Sequence, residues 1–232
     1  MSHYRVALAL ILATAILSGC YRATPIQGAV VDEQTGQPIA GVVVVAHWQA
    51  RSPNLNVNVE GQLATIETLT DNQGRYAIPG WGPRFKWFGK ISKVSTQLLF
   101  FKSGYKGVAV TSDSNSSGTV PLMNLSMKSG LVRIHLADTS VRPRIEEFDM
   151  FNLALRPITG KVAACPWQQI PNMLREVHKE RLALLPHAQD SDAWPLMTVD
   201  DDLIRNADEL AKQAGSACGS PKEVFRLQSS PR

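Results

Sequence analysis

No apolar run in this sequence is comfortably long enough to cross a bilayer, which takes about 20 residues. The run at the start, Val6–Leu17, is shorter and carries no charge. Long polar tracts are equally scarce. With 44% hydrophobic and 19% charged residues, the chain has the composition of a folded domain and not of a disordered one. The usual catalytic signatures are missing as well. There is no H-E-x-x-H, no H-x-x-E, no C-x-x-C, no G-x-S-x-G elbow and no Gly-rich phosphate loop. Zinc hydrolysis, a nucleophile elbow and a phosphate cradle therefore have no linear support. Cysteine is limited to Cys20, Cys165 and Cys218. No internal repeat is visible, and the length of 232 residues suits one ordinary domain or two small ones.

The opening apolar run stops just short of a cysteine. Arg5 precedes Val6–Leu17, and Leu17-Ser18-Gly19-Cys20 comes next, where a plain signal peptide would show an Ala-x-Ala-like cleavage site. These four residues resemble the lipobox of bacterial lipoproteins, in which a Leu and two small residues precede a Cys. The resemblance implies a signal peptide over 1–19, cleavage before Cys20, and acylation of the Cys20 thiol and of the new amino terminus. One acyl chain anchors marginally and a second makes anchoring stable. Tyr21 stands where Asp commonly marks inner-membrane retention in that class. The resemblance thus implies the outer membrane, facing the periplasm. A signal peptide with a chance cysteine, or an uncleaved anchor helix, are the competing readings.

In that oxidising compartment Cys165 and Cys218 read most simply as a disulfide. It would close a loop of about 50 residues, worth roughly 4 kcal/mol by loop entropy. Two free buried thiols are the alternative. A zinc site is disfavoured, because neither cysteine has a histidine at ligand spacing.

Residues 25–137 read as strands. "IQGAVVD" and "AGVVVVAHW" are β-branched, "LATIETLTD" alternates, and "DNQG" (71–74) is a turn leading into "RYAIP". "TQLLFFKSGY", "KGVAVT", "TVPLMNLSM" and "LVRIHL" add further strands, with the polar loop "SDSNSSG" between two of them. Three blocks resemble the carboxypeptidase regulatory-like domain, a transthyretin-like (prealbumin-like) fold. They are Gly28-x-Val30-x-Asp32 with Gly36-x-Pro38-Ile39-x-Gly41, then Thr68-x-Thr70-Asp71-x-x-Gly74-x-Tyr76-x-Ile78, then Gly104-Tyr105. The segment 80–95 is an insertion relative to that pattern, and Val42 stands where Ala is common. The resemblance implies a fold, and a fold does not carry a function.

After residue 140 the pattern turns helical. Pro143 suits a helix start, and Ile145, Phe148, Phe151 and Leu155 lie beyond it at helical spacing, with Pro157 just past them. Ile170, Met173, Leu174, Val177, Leu184 and Leu185 make one apolar face, opposite Glu176, Lys179 and Glu180. Thr198 with Asp201 resembles a capping box for one helix running to Gly215. The expected architecture is mainly β. It consists of a transthyretin-like antiparallel β-sandwich over 25–140, a lipidated tether over 20–24, and a small, disulfide-closed α-helical region over 141–232.

Polar groups that might carry chemistry are few. His47 and His135 read as strand histidines and His178 as a solvated helix residue. Asp200-Asp201-Asp202 suit a helix N-terminus and lack the alternation of a calcium loop. No catalytic residue, metal or cofactor is expected. The strongest surface signal is electrostatic, since no acid occurs between Asp71 and Asp113 while Arg75, Arg84, Lys86, Lys90, Lys93, Lys102 and Lys106 do. The centre of that span, "WGPRFKWFGK", makes Trp81, Arg84, Phe85, Lys86, Trp87, Phe88 and Lys90 a candidate binding surface. Three readings compete for it: an aromatic cap on the sandwich with solvated cations, a contact with membrane or anionic glycan, and a protein-binding hot spot. The function expected is a non-catalytic binding or structural module of the cell envelope, with a protein, glycan or lipid partner and no nucleic acid. A periplasmic hydrolase with a site between sandwich and helices is the alternative.

Overall fold

The computed structural model describes residues 20–51, 59–85, 93–111, 120–121, 131–138, 145–160, 164–188 and 198–226. Residues 1–19, read from the sequence as a signal peptide, lie outside the described residues. In chain order the strands are β1 (Cys20–Ala23), β2 (Ile26–Asp32), β3 (Val43–Arg51), β4 (Val59–Leu69), β5 (Arg75–Ile78), β6 (Trp81–Phe85), β7 (Lys93–Phe101), β8 (Val108–Thr111), β9 (Val120–Pro121) and β10 (Leu131–Leu136). The helices are α1 (Ile145–Thr159), α2 (Pro166–Gln169), α3 (Pro171–Ala188), α4 (Val199–Arg205), α5 (Ala207–Ala214) and α6 (Lys222–Arg226), with a 3-10 turn at Ser216–Cys218. The chain is therefore β-sheet in its first part and helical in its second.

The strands form a five-stranded sheet in the order β4-β3-β7-β8-β9, a three-stranded sheet β10-β2-β5 and the pair β1-β6. β3 is an interior strand, between β4 and β7, and its Val43–Ala46 and Trp48 are all buried. Its two faces serve two cores. Val44, Ala46 and Trp48, with Leu98 and Phe100 of β7, pack on Val30, Tyr76, Ile78, Ile134 and Leu136 of the three-stranded sheet. Val43 and Val45, with Leu99 and Phe101, pack on Phe148, Phe151, Leu155, Met173, Leu174 and Val177 of the helices. That is why "VVVVA" shows no alternation: a strand covered on both faces reads as a continuous apolar run.

Two expectations are corrected here. The helices are not a small appendix to the sheets but a third layer that completes a core of its own. The sheets are also not wholly antiparallel. β10 runs parallel to β2, from Leu131↔Gln27 to Leu136↔Asp32, and β8 runs parallel to β9. Parallel neighbours need a long crossover. Between β2 and β10 the chain supplies one by building the strands of the five-stranded sheet.

The turn signals act as read. Asp71 Oδ1 accepts the N–H groups of Gln73 and Arg75, both at 2.8 Å, and Gly74 adopts φ +69°. A Cβ on Gly74 would lie 2.4 Å from the Val30 carbonyl oxygen, so both the conformation and the close approach require glycine. Asp32 Oδ1 likewise accepts from Thr35 N (2.7 Å), Thr35 Oγ1 (2.8 Å) and Gln34 N (3.0 Å). The bonds to Thr35 hold its carboxyl below the usual range.

The helical boundaries differ from the sequence expectation at three points. α1 continues through Pro157, which lies on the exposed side together with Leu153. The helix expected from Thr198 to Gly215 breaks at Asn206, whose Nδ2 donates to the Asp202 carbonyl at 3.0 Å and closes α4. No capping box forms. Thr198 makes no side-chain cap, and the Val199 N–H donates instead to Asn152 Oδ1 of α1 at 3.2 Å.

Cys165 and Cys218 form the expected disulfide, with α-carbons 5.4 Å apart. It ties the start of α2 to the 3-10 turn. Trp167 Nε1 and Gln168 Nε2 each donate to the Cys218 carbonyl at 2.8 Å, so buried Trp167 reinforces the same junction.

Candidate membrane-proximal surface

The segment 20–24, read from the sequence as a lipidated tether, carries the strand β1. β1 pairs antiparallel with β6, with Cys20 opposite Phe85, Tyr21 opposite Arg84 and Ala23 opposite Trp81. The chain is close at the inner end of this pair. A Cβ added to Gly80 would sit 2.7 Å from the Ala23 carbonyl oxygen and 3.0 Å from Pro25 Cδ. The Trp81 ring is half-buried and meets Trp48 edge-on, with centroids 5.6 Å apart at 78°. Trp81 thus packs against the core between the sheets. Gly82 and Pro83 are exposed. Arg84 and Phe85 are placed by their backbone in β6, while Lys86, Trp87, Phe88 and Lys90 lie outside the described residues.

The residue opposite Cys20 thus belongs to the basic, aromatic insertion. Neighbouring strands lie about 4.8 Å apart. The backbone of Cys20 therefore lies one strand spacing from that of the insertion. The sequence sets the tether directly before the first domain and does not show this pairing. The one hint was the β-compatible spacing of Trp81, Pro83 and Phe85 on alternate positions.

The histidines occupy three different elements. His47 is buried on β3, with Nδ1 2.8 Å from Thr65 Oγ1 and Nε2 bonded to Gln49 Nε2. His135 is exposed on β10. His178 is not the solvated residue expected. Its Nδ1 lies 2.8 Å from Asp200 Oδ2, and its ring is 5.2 Å from that of Phe225. Asp200 is fully buried, and Arg181 approaches the same oxygen at 3.7 Å. Asp201 bonds Arg181 at 2.8 Å and Arg205 at 3.0 Å, and Asp202 bonds Arg205 at 3.1 Å. The acidic triplet is therefore engaged by side chains of α3 and α4. Among the described residues no group of three or more His, Cys, Asp or Glu is placed to hold a metal ion, and no helix is long and apolar enough to cross a membrane.

Three carboxylates bolt the helical layer to the sheets. Glu176 Oε2 accepts from Ser103 N at 2.9 Å. Glu180, expected on the solvated face, is buried and accepts from Ser103 Oγ (2.9 Å) and Gly104 N (2.7 Å). Glu67 of β4 caps the N-terminus of α3, accepting from Asn172 N (3.0 Å), Asn172 Nδ2 (2.8 Å) and Met173 N (2.7 Å). Burial raises the Glu67 carboxyl above its usual range despite those bonds. The folded state therefore binds this proton more readily than the unfolded state does. The stability this group contributes is full below its unfolded pKa and is lost as pH rises through the folded one. Urea unfolding at pH 4 and pH 7 should show the wild type losing stability relative to Glu67→Gln as pH rises. A difference constant across that range would show that Glu67 does not titrate this way.

No known family profile matches the chain, and no curated protein does. A solved structure of a streptococcal ancillary pilin is similar over 52% of this chain and 30% of its own, at 16% identity and a TM-score of 0.27. The chain thus spans less than a third of that pilin's length.

Proposed function

We propose that this chain is a lipid-anchored, non-catalytic binding or structural module of the bacterial cell envelope, attached through Cys20 to the outer membrane and facing the periplasm. Its sheets are read as a transthyretin-like sandwich backed by the helical layer. The observation that carries the proposal is the register Cys20↔Phe85, Tyr21↔Arg84. It brings the basic, aromatic insertion to the residue that would hold the lipid. A tethered protein meets its own membrane at high effective concentration, so weak contacts suffice. Each basic residue near an anionic surface adds about 1 kcal/mol.

The alternative, a periplasmic hydrolase with a site between sandwich and helices, would draw on two of His47, His135 and His178 converging with a carboxylate; these three lie on different elements, and Asp200 accompanies His178.

Two measurements test the proposal. Labelled palmitate should be incorporated into the wild type and not into Cys20→Ser, which should leave the membrane fraction. In unlipidated protein, reversing Arg84, Lys86 and Lys90 to Glu should weaken binding to anionic vesicles by at least about a hundredfold. Palmitate-free wild type would overturn the anchor, and unchanged vesicle binding would overturn the membrane contact.

A further inference from the structure

Register places two arginines, far apart in sequence, in one row across the three-stranded sheet. Arg133 of β10 is opposite Ala29 of β2, and Ala29 is opposite Arg75 of β5. Directly opposed residues project from the same face of a sheet. Here it is the outer face, because the alternate residues Tyr76, Ile78, Ile134 and Leu136 fill the core. With strands about 4.8 Å apart, the two arginine α-carbons stand roughly 10 Å from each other. Between them is only the methyl group of Ala29, so both long arms have room to lean inward over it. Both side chains are exposed, and neither guanidinium has an ion pair among the described residues. Arg181 and Arg205, by contrast, are held by aspartates.

The row lies in a groove of about 940 Å³ whose rim includes Gln27, Gln73, Thr68 and Asp71. Asp71 is its acid, and the Oδ1 of that acid is committed to the turn N–H groups of Gln73 and Arg75. The volume falls in the range of small-molecule sites.

We propose that this face binds a phosphorylated saccharide, with Arg75 and Arg133 converging on its phosphoryl group. A guanidinium presents a planar fork of donors that matches phosphate oxygens, and two forks converging from opposite sides match a dianion. The amide and hydroxyl side chains of the rim match the hydroxyls of a sugar carrier. The site is independent of the lipid anchor and lies on a different sheet from β1 and β6.

Titration of the full chain in detergent micelles by calorimetry tests this, with glucosamine 1-phosphate, glucosamine, inorganic phosphate and a hexaglutamate peptide as probes. Glucosamine 1-phosphate should bind, glucosamine should not, and phosphate should bind more weakly. Arg75→Ala and Arg133→Ala should each raise Kd at least tenfold, and Arg75→Lys by less. Reversal of Arg84, Lys86 and Lys90 should leave this Kd unchanged, which separates the site from the membrane contact. Both arginines are exposed, so circular dichroism should show each variant folded. Absence of binding, or equal binding by the alanine variants, overturns the site. Tighter binding of hexaglutamate than of the sugar phosphate overturns the saccharide assignment in favour of an acidic peptide. Equal affinity for inorganic phosphate overturns it in favour of a simple anion site.

Discussion

Replacing Cys165 and Cys218 together with serine lowers the stability of the folded chain by about 4 kcal/mol, because the bond closes a sequence separation of 53 residues in the unfolded ensemble. For a domain of this size that is roughly a 10 °C drop in Tm. The native contacts at the junction survive the change. Trp167 Nε1 still has the carbonyl of residue 218 as its acceptor, since that group belongs to the backbone. The loss should therefore appear in the unfolding free energy with little change in near-ultraviolet circular dichroism. Urea titration of the wild type with and without reductant, beside the double variant, measures it. A difference below about 1 kcal/mol would mean that residual structure in the unfolded chain already holds the two positions together.

The second large effect is expected at Asp200. Its side chain is fully buried and accepts from His178, with Arg181 at 3.7 Å. Asp200→Ala removes the acceptor of His178 and the carboxylate beside Arg181. Breaking one partner of a buried pair costs about 3–5 kcal/mol. The lower end applies here, because Arg181 retains Asp201 at 2.8 Å and both partners of Asp200 are partly exposed. Asp200→Asn keeps an acceptor for His178 and should lose clearly less. A double-mutant cycle with His178→Ala isolates the pair, and a coupling energy near zero would show that Asp200 serves Arg181 alone.

Much of the scaffold was legible because it is encoded locally. Asp71 through Gly74 reads as a turn, and it folds as one through bonds made within five residues. The apolar face of α3 reads from spacing alone, and Met173, Leu174, Val177 and Leu184 are all buried. His178 and Glu180 read as solvated because a helical pattern shows only which residues are polar. It does not show that the buried acid of α4 approaches one of them or that the Ser103–Gly104 turn docks on the other. The apolar run of β3 was legible as a strand, but its second buried face became intelligible only with the helices in place.

The linear order of residues determined what acts linearly: the short apolar run ending at Leu17-Ser18-Gly19-Cys20, the turn glycines, the helical periodicities and the two cysteines left to pair. Tertiary structure alone decided which distant residues meet. Strand pairing set Cys20 opposite Phe85, and a parallel return of β10 put Arg133 in line with Arg75 across Ala29. Such neighbours are selected by burying the opposite face of each strand. The core residues that fix the register leave no mark on the exposed side chains they align.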